Sequence, residues 1–242
     1  MVRRRRHRGP HPQDEELFAA AAVPRLREAV SDLSWLRTRG YAEPSATKIV
    51  GGRHQLRARQ RTAVGRCACP DEAVANRAAR RIAESEVRGE ALMLDGLNVL
   101  TTIEVALAHG VLLIGRDGCV RDMASFHGNY RLVHETDPAI ACLLDALDSL
   151  EPRRVELLID RPVSNSGRLA QAIRDAAHER GAEVHPVLSD RVDATLKTSQ
   201  EAIVATADSA ILDACGRWLN LARLAIHRLE DLAQSLWLLD LG

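Results

Sequence analysis

Lysine is nearly absent from this chain: only Lys48 and Lys197 occur in 242 residues, so arginine carries almost all of the positive charge. Arginine is the better partner for phosphate and the better stacker on flat rings. Long apolar runs are missing too. None approaches the ~20 residues that a membrane-spanning helix requires, which argues against a membrane partner. The opening MVRRRRHRGP is basic but has no apolar segment behind it, so it does not read as a secretory signal. Cys67, Cys69, Cys119, Cys142 and Cys215 are an odd set without the spacing of a disulfide framework. Cys67-Ala-Cys69 lacks the two-residue gap of a zinc knuckle, and no second pair follows. They read as reduced thiols, and the expected location is the cytoplasm. There is no internal repeat, and no low-complexity tract beyond RRRR.

The net charge of zero hides an asymmetry. Residues 1–90 carry 19 basic and 11 acidic side chains, and residues 91–242 carry 14 and 22. Such a split suggests two modules with different work. Over 14–39, apolar residues recur at helical intervals after an acidic first turn, with Pro24 expected to divide two helices and Gly40 to end the second. Ser45 is a plausible helix cap and Gly51-Gly52 a turn. Gln55 to Arg66 reads as a further helix, and Pro70-Asp71-Glu72 opens another to about Arg88. After residue 90, short apolar runs (ALML before Asp95, VLLIG, VELLID, EVHPVL, AIVAT) alternate with amphipathic segments near 137–150, 167–180 and 208–218. That is the α/β pattern of a mostly parallel sheet with crossover helices. VLLIGRDGCVRDM reads instead as an antiparallel pair across Asp117-Gly118, and 220–240 as a last amphipathic stretch. The expected organisation is a disordered basic tail over 1–13, a smaller all-helical basic module over 14–88, and an α/β domain over 89–242.

Several strands end in acid. MLDGLNVL puts Asp95 at the end of an apolar run that turns on Gly96. LLIDRP ends in Asp160, and VATADSAILD places Asp208 just past a third strand. In an open parallel sheet the carboxyl ends share one edge, where ligand crevices form. Carboxylates crowded there repel unless a cation neutralises them, and oxygen-only ligands favour Mg²⁺ or Mn²⁺, ions that serve phosphodiester chemistry. Each acid has a bland alternative as a helix cap, and Asp208 before Ser-Ala-Ile-Leu fits that role well. Glu104 and Asp193 are weaker additions that solvent alone can explain.

DGLNV, the later Asp160-Arg161-Pro162, VDATL and VATADSAIL together resemble the PIN and NYN nuclease superfamily. The resemblance implies a compact α/β fold and metal-dependent RNA cleavage. It makes Asp95 and Asp208 metal ligands, gives Asp160 and Asp193 looser places in the same set, and has Asn98 position the substrate or Asp95. The whole chain also resembles an uncharacterised prokaryotic family that joins two domains of unknown function. That likeness is carried by DLSWLRTRGYAEPSATKIVGGRHQLRARQR in the first module and by LDGLNVLTTIEVAL, GRDGCVRDMASFHGNYR, IDRPVSNSG and VATADSAILD in the second. It implies no activity. The GRDGCVRDMASFHGNYR loop departs from a typical PIN domain.

That loop offers Arg121 and Arg131 for phosphate, and Tyr130 or His127 for stacking on a base. Its structural alternative is a local ion pair of Arg121 with Asp122 or Asp117. Ser164 and Ser166 precede a helix whose free N–H groups can receive a phosphate, although Ser166 can equally be a cap. In the helical module Arg53, Arg57, Arg59, Arg61 and Arg66 make a basic cluster, the expected nucleic-acid grip. The expected function is therefore RNA cleavage dependent on Mg²⁺ or Mn²⁺, with Asp95, Asp160 and Asp208 catalytic. The rival is a nucleotide- or RNA-binding protein whose acids are caps. The two separate on whether Asp95, Asp160 and Asp208 meet in one pocket within the roughly 4–6 Å range of strong charge coupling, which favours a metal site, or lie dispersed, which favours the rival. A homo-oligomer is compatible with either.

Overall fold

A computed structural model describes residues 7–124, 129–228 and 236–242. The first module is helical: α1 (Asp14–Leu17), a single 3-10 turn at Ala20–Ala22, α2 (Val23–Thr38), α3 (Glu43–Arg53), α4 (Ala58–Cys67) and α5 (Asp71–Arg80). Pro24 sits in the first turn of α2, where its missing N–H costs nothing. Ser45 caps nothing, since α3 already begins at Glu43. Gly51-Gly52 is not a turn but the last turn of α3. A side chain at Gly51 would lie 2.6 Å from Nε of Arg61, so the bare backbone there is what lets Arg61 lie across α3. Helix α5 stops at Arg80 rather than near Arg88; its N–H groups give way to a bridge between Arg81 and Trp218.

The second part opens with β1 (Ala91–Asp95) and α6 (Gly96–Leu107), then β2 (Leu112–Ile114), β3 (Val120–Arg121), α7 (Thr136–Leu150), β4 (Arg154–Asp160), α8 (Ser166–Arg180), β5 (Val184–Ser189), α9 (Val192–Thr198), β6 (Ile203–Ala205), α10 (Ser209–Leu212), β7 (Trp218–Leu219), α11 (Leu221–His227) and β8 (Leu238–Asp240). Five strands form an all-parallel sheet in the order β5-β4-β1-β6-β7. The chain runs outward from β1 on one side and then returns to build the other, so the switch point falls between β1 and β6. That is where an open α/β sheet leaves its ligand crevice.

Alternation along the strands divides the two faces. Leu92, Leu94, Leu157 and Ile159 pack under α6, α7, α8 and α11. Met93, Leu158 and Val204 meet α9, α10 and the buried Trp218. The second sheet, β3-β2-β8, contains the expected antiparallel pair of β2 with β3, while β8 joins β2 in parallel. The last segment is therefore not one amphipathic stretch, because 238–240 is a strand. This small sheet is also the seam between modules: Val111, Leu113 and Leu241 share one apolar cluster with Phe18, Leu26, Leu33 and Val64.

The N-terminal segment is anchored rather than loose over residues 7–13. Arg8 donates from Nε to Glu104 at 2.8 Å and lies 5.0 Å from the Tyr130 ring. The four arginines at 3–6 lie outside the described residues.

Candidate functional site

Gly96 explains why a glycine follows the first strand. It is the first residue of α6, not a turn, and a Cβ there would sit 2.4 Å from Leu157 and 2.7 Å from the Leu158 carbonyl. Without a side chain, α6 starts hard against β4 and holds Asp95 at the switch point. One Asp95 oxygen accepts the Asn98 N–H at 3.4 Å and the other accepts the Thr206 hydroxyl at 2.9 Å. Asn98 in turn accepts the Ala207 N–H at 2.9 Å. Asp208 caps α10 with a single oxygen, which takes the N–H groups of Ala210 and Ile211 at 2.8 and 3.1 Å.

Asp95, Asp160, Asp193 and Asp208 all line one cavity of about 1000 Å³ at this sheet edge. Burial pushes the Asp95 carboxyl up to about 7 despite the Thr206 bond, and the charges of Asp208 and Asp193 add to the rise. Burial likewise raises Asp160, with Asp193 contributing. In both groups burial is the leading cause and the neighbouring carboxylate charges are secondary. A fifth acid, Asp122, is on the same wall. It accepts the Thr102 hydroxyl at 2.8 Å and the Ala124 N–H at 2.6 Å. Sequence reasoning missed it as a site residue because it ends no strand of the main sheet.

The opposite wall comes from the helical module and supplies Arg37, Thr47, Arg61 and Arg66. Arg37 donates to the Ala68 carbonyl at 2.7 Å and pairs with Glu43 at 3.2 Å, Arg61 donates to the Leu56 carbonyl at 3.0 Å, and Arg66 donates to the Ala124 carbonyl at 2.7 Å and pairs with Asp122 at 3.5 Å. The basic and acidic parts of the chain thus face each other across one space.

The donor chemistry fits a hard divalent ion. Every candidate is a carboxylate, and Thr101, which also lines the cavity, has a buried hydroxyl with no partner among the described residues. No three His, Cys, Asp or Glu side chains among the described residues cluster closely enough to cage a metal. The acids thus share one cavity without closing into a metal cage among the described residues.

Other expected site residues are placed elsewhere. Tyr130 is buried and cannot stack on a base; its hydroxyl donates to Glu104. Glu104 is not solvated but fully buried, and it also accepts Thr136 at 2.6 Å. Arg121 lines the cavity, yet its guanidinium grips Asp117, not Asp122, through two bonds of 2.8 and 2.6 Å. Asp117 also receives Arg77 at 2.6 Å. Burial alone would raise the Asp117 carboxyl, but Arg121 and Arg77 outweigh it and hold the group well below the usual carboxylate range. Ser166 is buried and donates to the carbonyls of Asp160 and Val163, so it neither caps α8 nor meets a ligand. Ser164 bonds Asn129 at 2.7 Å, away from the cavity wall. Arg131 is exposed and also off that wall. His127 lies outside the described residues.

Of the five arginines expected to grip nucleic acid, Arg61 and Arg66 reach the cavity. Arg59 forms a two-bond pair with the buried Asp14 at 2.7 and 2.8 Å. Arg53 pairs with Asp32 at 3.2 Å, and Arg57 is exposed at the start of α4. The five cysteines are free and buried, and burial pushes the Cys67 and Cys119 thiols up to about 12, which removes them as nucleophiles. No helix among the described residues is long and apolar enough to cross a membrane.

The model of a family described as Domain of unknown function (DUF5616) matches residues 84–224, more than half of the chain. The chain belongs to the DUF5616 family. Its match takes in Asp95, Asp122, Asp160, Asp193 and Asp208 of the cavity wall. A second model, Protein of unknown function (DUF434), matches residues 25–80 and takes in Arg37, Arg61 and Arg66. The uncharacterized protein MJ0935 of Methanocaldococcus jannaschii is 27% identical over 187 residues, covering 77% of this chain and 88% of that protein. No solved structure matches. The DUF5616 match thus carries five cavity aspartates together with Arg121, and the DUF434 match carries Arg37, Arg61 and Arg66 together with Glu43.

Proposed function

We propose that this protein is a divalent-metal-dependent phosphodiester hydrolase acting on RNA. The observation that carries the reading is the convergence of Asp95, Asp160, Asp193 and Asp208 on one cavity faced by Arg37, Arg61 and Arg66. The sequence resemblance to the PIN and NYN nucleases points the same way.

Asp95 and Asp208 would hold the ion. When bound, Mg²⁺ or Mn²⁺ would supply an activated water and neutralise the scissile phosphate. The protein's own part is positional and electrostatic. Asn98 fixes the spacing of the loops that carry the two acids. Carboxylates by themselves repel a polyanion, and the arginine wall offsets that repulsion along the approach. The cap bonds of Asp208 use one oxygen only, so capping and ligation do not compete.

Labelled RNA is incubated with the full chain in Mn²⁺, with and without chelator. Cleavage should require the metal and should vanish in Asp95→Asn and Asp208→Asn. The second reading, RNA or nucleotide binding without cleavage, is favoured by the same cap geometry at Asp95 and Asp208. It prevails if RNA binds tightly and stays intact in both Mg²⁺ and Mn²⁺.

A further inference from the structure

The chain holds three tryptophans, two tyrosines and two phenylalanines. Trp218, Tyr130 and Phe18 are buried, and Trp237 is partly so. Trp35 and Tyr41 are 53% and 51% exposed, and both belong to the corner where α2 turns into α3. The turn is well built. Gly40 adopts φ +81°, and the N–H groups of Gly40 and Tyr41 bond back to Arg37 and Leu36 at 3.0 and 3.2 Å. This is a left-handed helix end of the kind glycine favours, and it holds Tyr41 beside the last turn of α2.

Arg39 lies over the Trp35 ring at 3.5 Å and donates to the Trp35 carbonyl at 3.3 Å. Next to the ring is a hollow of about 330 Å³ lined by Asp32, Trp35, Leu36, Ile49, Val50 and Arg53. The same corner sends Arg37, Glu43 and Thr47 to the wall of the large cavity. Aromatic faces outside and an acid-floored cavity inside are thus joined by one short segment.

We propose that Trp35 and Tyr41 form a stacking platform for single-stranded RNA, whose backbone passes Arg39 and Arg37 toward the cavity. This deepens the nuclease reading and rests on it. Stacking on aromatic rings beside arginines is the chemistry by which single strands are held without reading sequence, because every base has a π-face. A protein partner fits less well, since interface cores are depleted of charge, and here Arg39 lies on the Trp35 ring while Asp32 and Arg53 line the hollow beside it.

Fluorescence anisotropy of a labelled oligouridine on the full chain in chelator separates binding from cleavage. A blunt RNA duplex serves as control, and light scattering reports the oligomeric state. Trp35→Ala with Tyr41→Ala should weaken the single strand about tenfold or more, leave the duplex nearly unchanged, and be rescued by Trp35→Phe. Unchanged single-strand affinity overturns the platform, even if the double variant still cleaves RNA and the nuclease reading stands. Loss of a dimer in the double variant also overturns it, by making this corner an interface between copies. Platform-dependent binding with no cleavage in Mn²⁺ keeps the platform and rejects the nuclease.

Discussion

The side chain of Asn98 accepts the backbone N–H of Ala207 at 2.9 Å, and so ties the helix after Asp95 to the loop that ends in Asp208. The two acids come from strands more than a hundred residues apart, yet this bond fixes them to each other across the switch point. Asn98→Ala leaves the Ala207 N–H without its acceptor, which should cost about 1–3 kcal/mol. Both the melting temperature and the Mn²⁺ affinity should fall. If metal affinity is untouched while stability drops, Asn98 braces the fold and not the site.

Asp95→Asn tests the buried carboxyl through pH. Its pKa is raised from 3.8 to about 7 in the folded chain, so the unfolded chain ionises first as pH rises. Folding then loses stability from about pH 4 upward and levels off above pH 7, at about 1.4 kcal/mol for each pH unit of difference as an upper bound. Asparagine removes that loss. In chelator the variant should melt at higher temperature than the parent at pH 8, and the gap should close toward pH 4. Mn²⁺ should raise the parent's melting temperature and leave the variant's alone. Identical pH profiles would place the Asp95 charge outside the stability balance.

Arg121→Ala should act on stability before it acts on ligands. Its removal leaves the buried Asp117 with Arg77 as its one remaining cation, and breaking a buried pair costs about 3–5 kcal/mol. Chemical denaturation measures this directly. RNA affinity on the surviving folded fraction should be little changed, in contrast to Arg61→Ala, which should weaken binding and reduce its salt dependence.

Two glycines make opposite predictions for the same substitution. Gly96→Ala drives a methyl into Leu157 and the Leu158 backbone, so destabilisation of about 1–3 kcal/mol is expected. Gly51→Ala meets the flexible end of Arg61 and should leave the melting temperature nearly unchanged, helped by the better helix propensity of alanine. It should nevertheless weaken RNA binding by displacing Arg61 from the cavity wall. Equal losses of stability in both variants would remove the distinction.

Four of the five strands of the main sheet could be read from the chain as apolar runs, with acids at or just past the ends of three; β7 could not, because Trp218–Leu219 is only two residues long and closes a stretch that reads as amphipathic. A parallel sheet puts those ends on one edge, so the convergence of Asp95, Asp160 and Asp208 follows from local pattern plus topology, whereas Asp193 reaches the cavity from α9. Partnerships across long separations were not legible. Nothing near Tyr130 announces that Glu104 on α6 receives its hydroxyl, and nothing near Asp117 announces Arg77. A polar loop written GRDGCVRD looks the same whether its charges meet solvent, substrate or one another. Asp122 gave no signal because its partner Thr102 lies on a helix twenty residues earlier.

The small sheet has a consequence for how the chain reaches this state. Leu238–Asp240 pairs in parallel with Leu112–Ile114, and Leu241 is buried among side chains of the first helices. Closing so long a loop carries an entropic penalty that must be met before its contacts repay it, and non-local pairing of this kind slows folding. The two modules should therefore not melt as separate units. Cutting the chain between α5 and β1 would open the shared apolar cluster on both sides, so the acidic and basic walls of the cavity arise in one cooperative event or not at all.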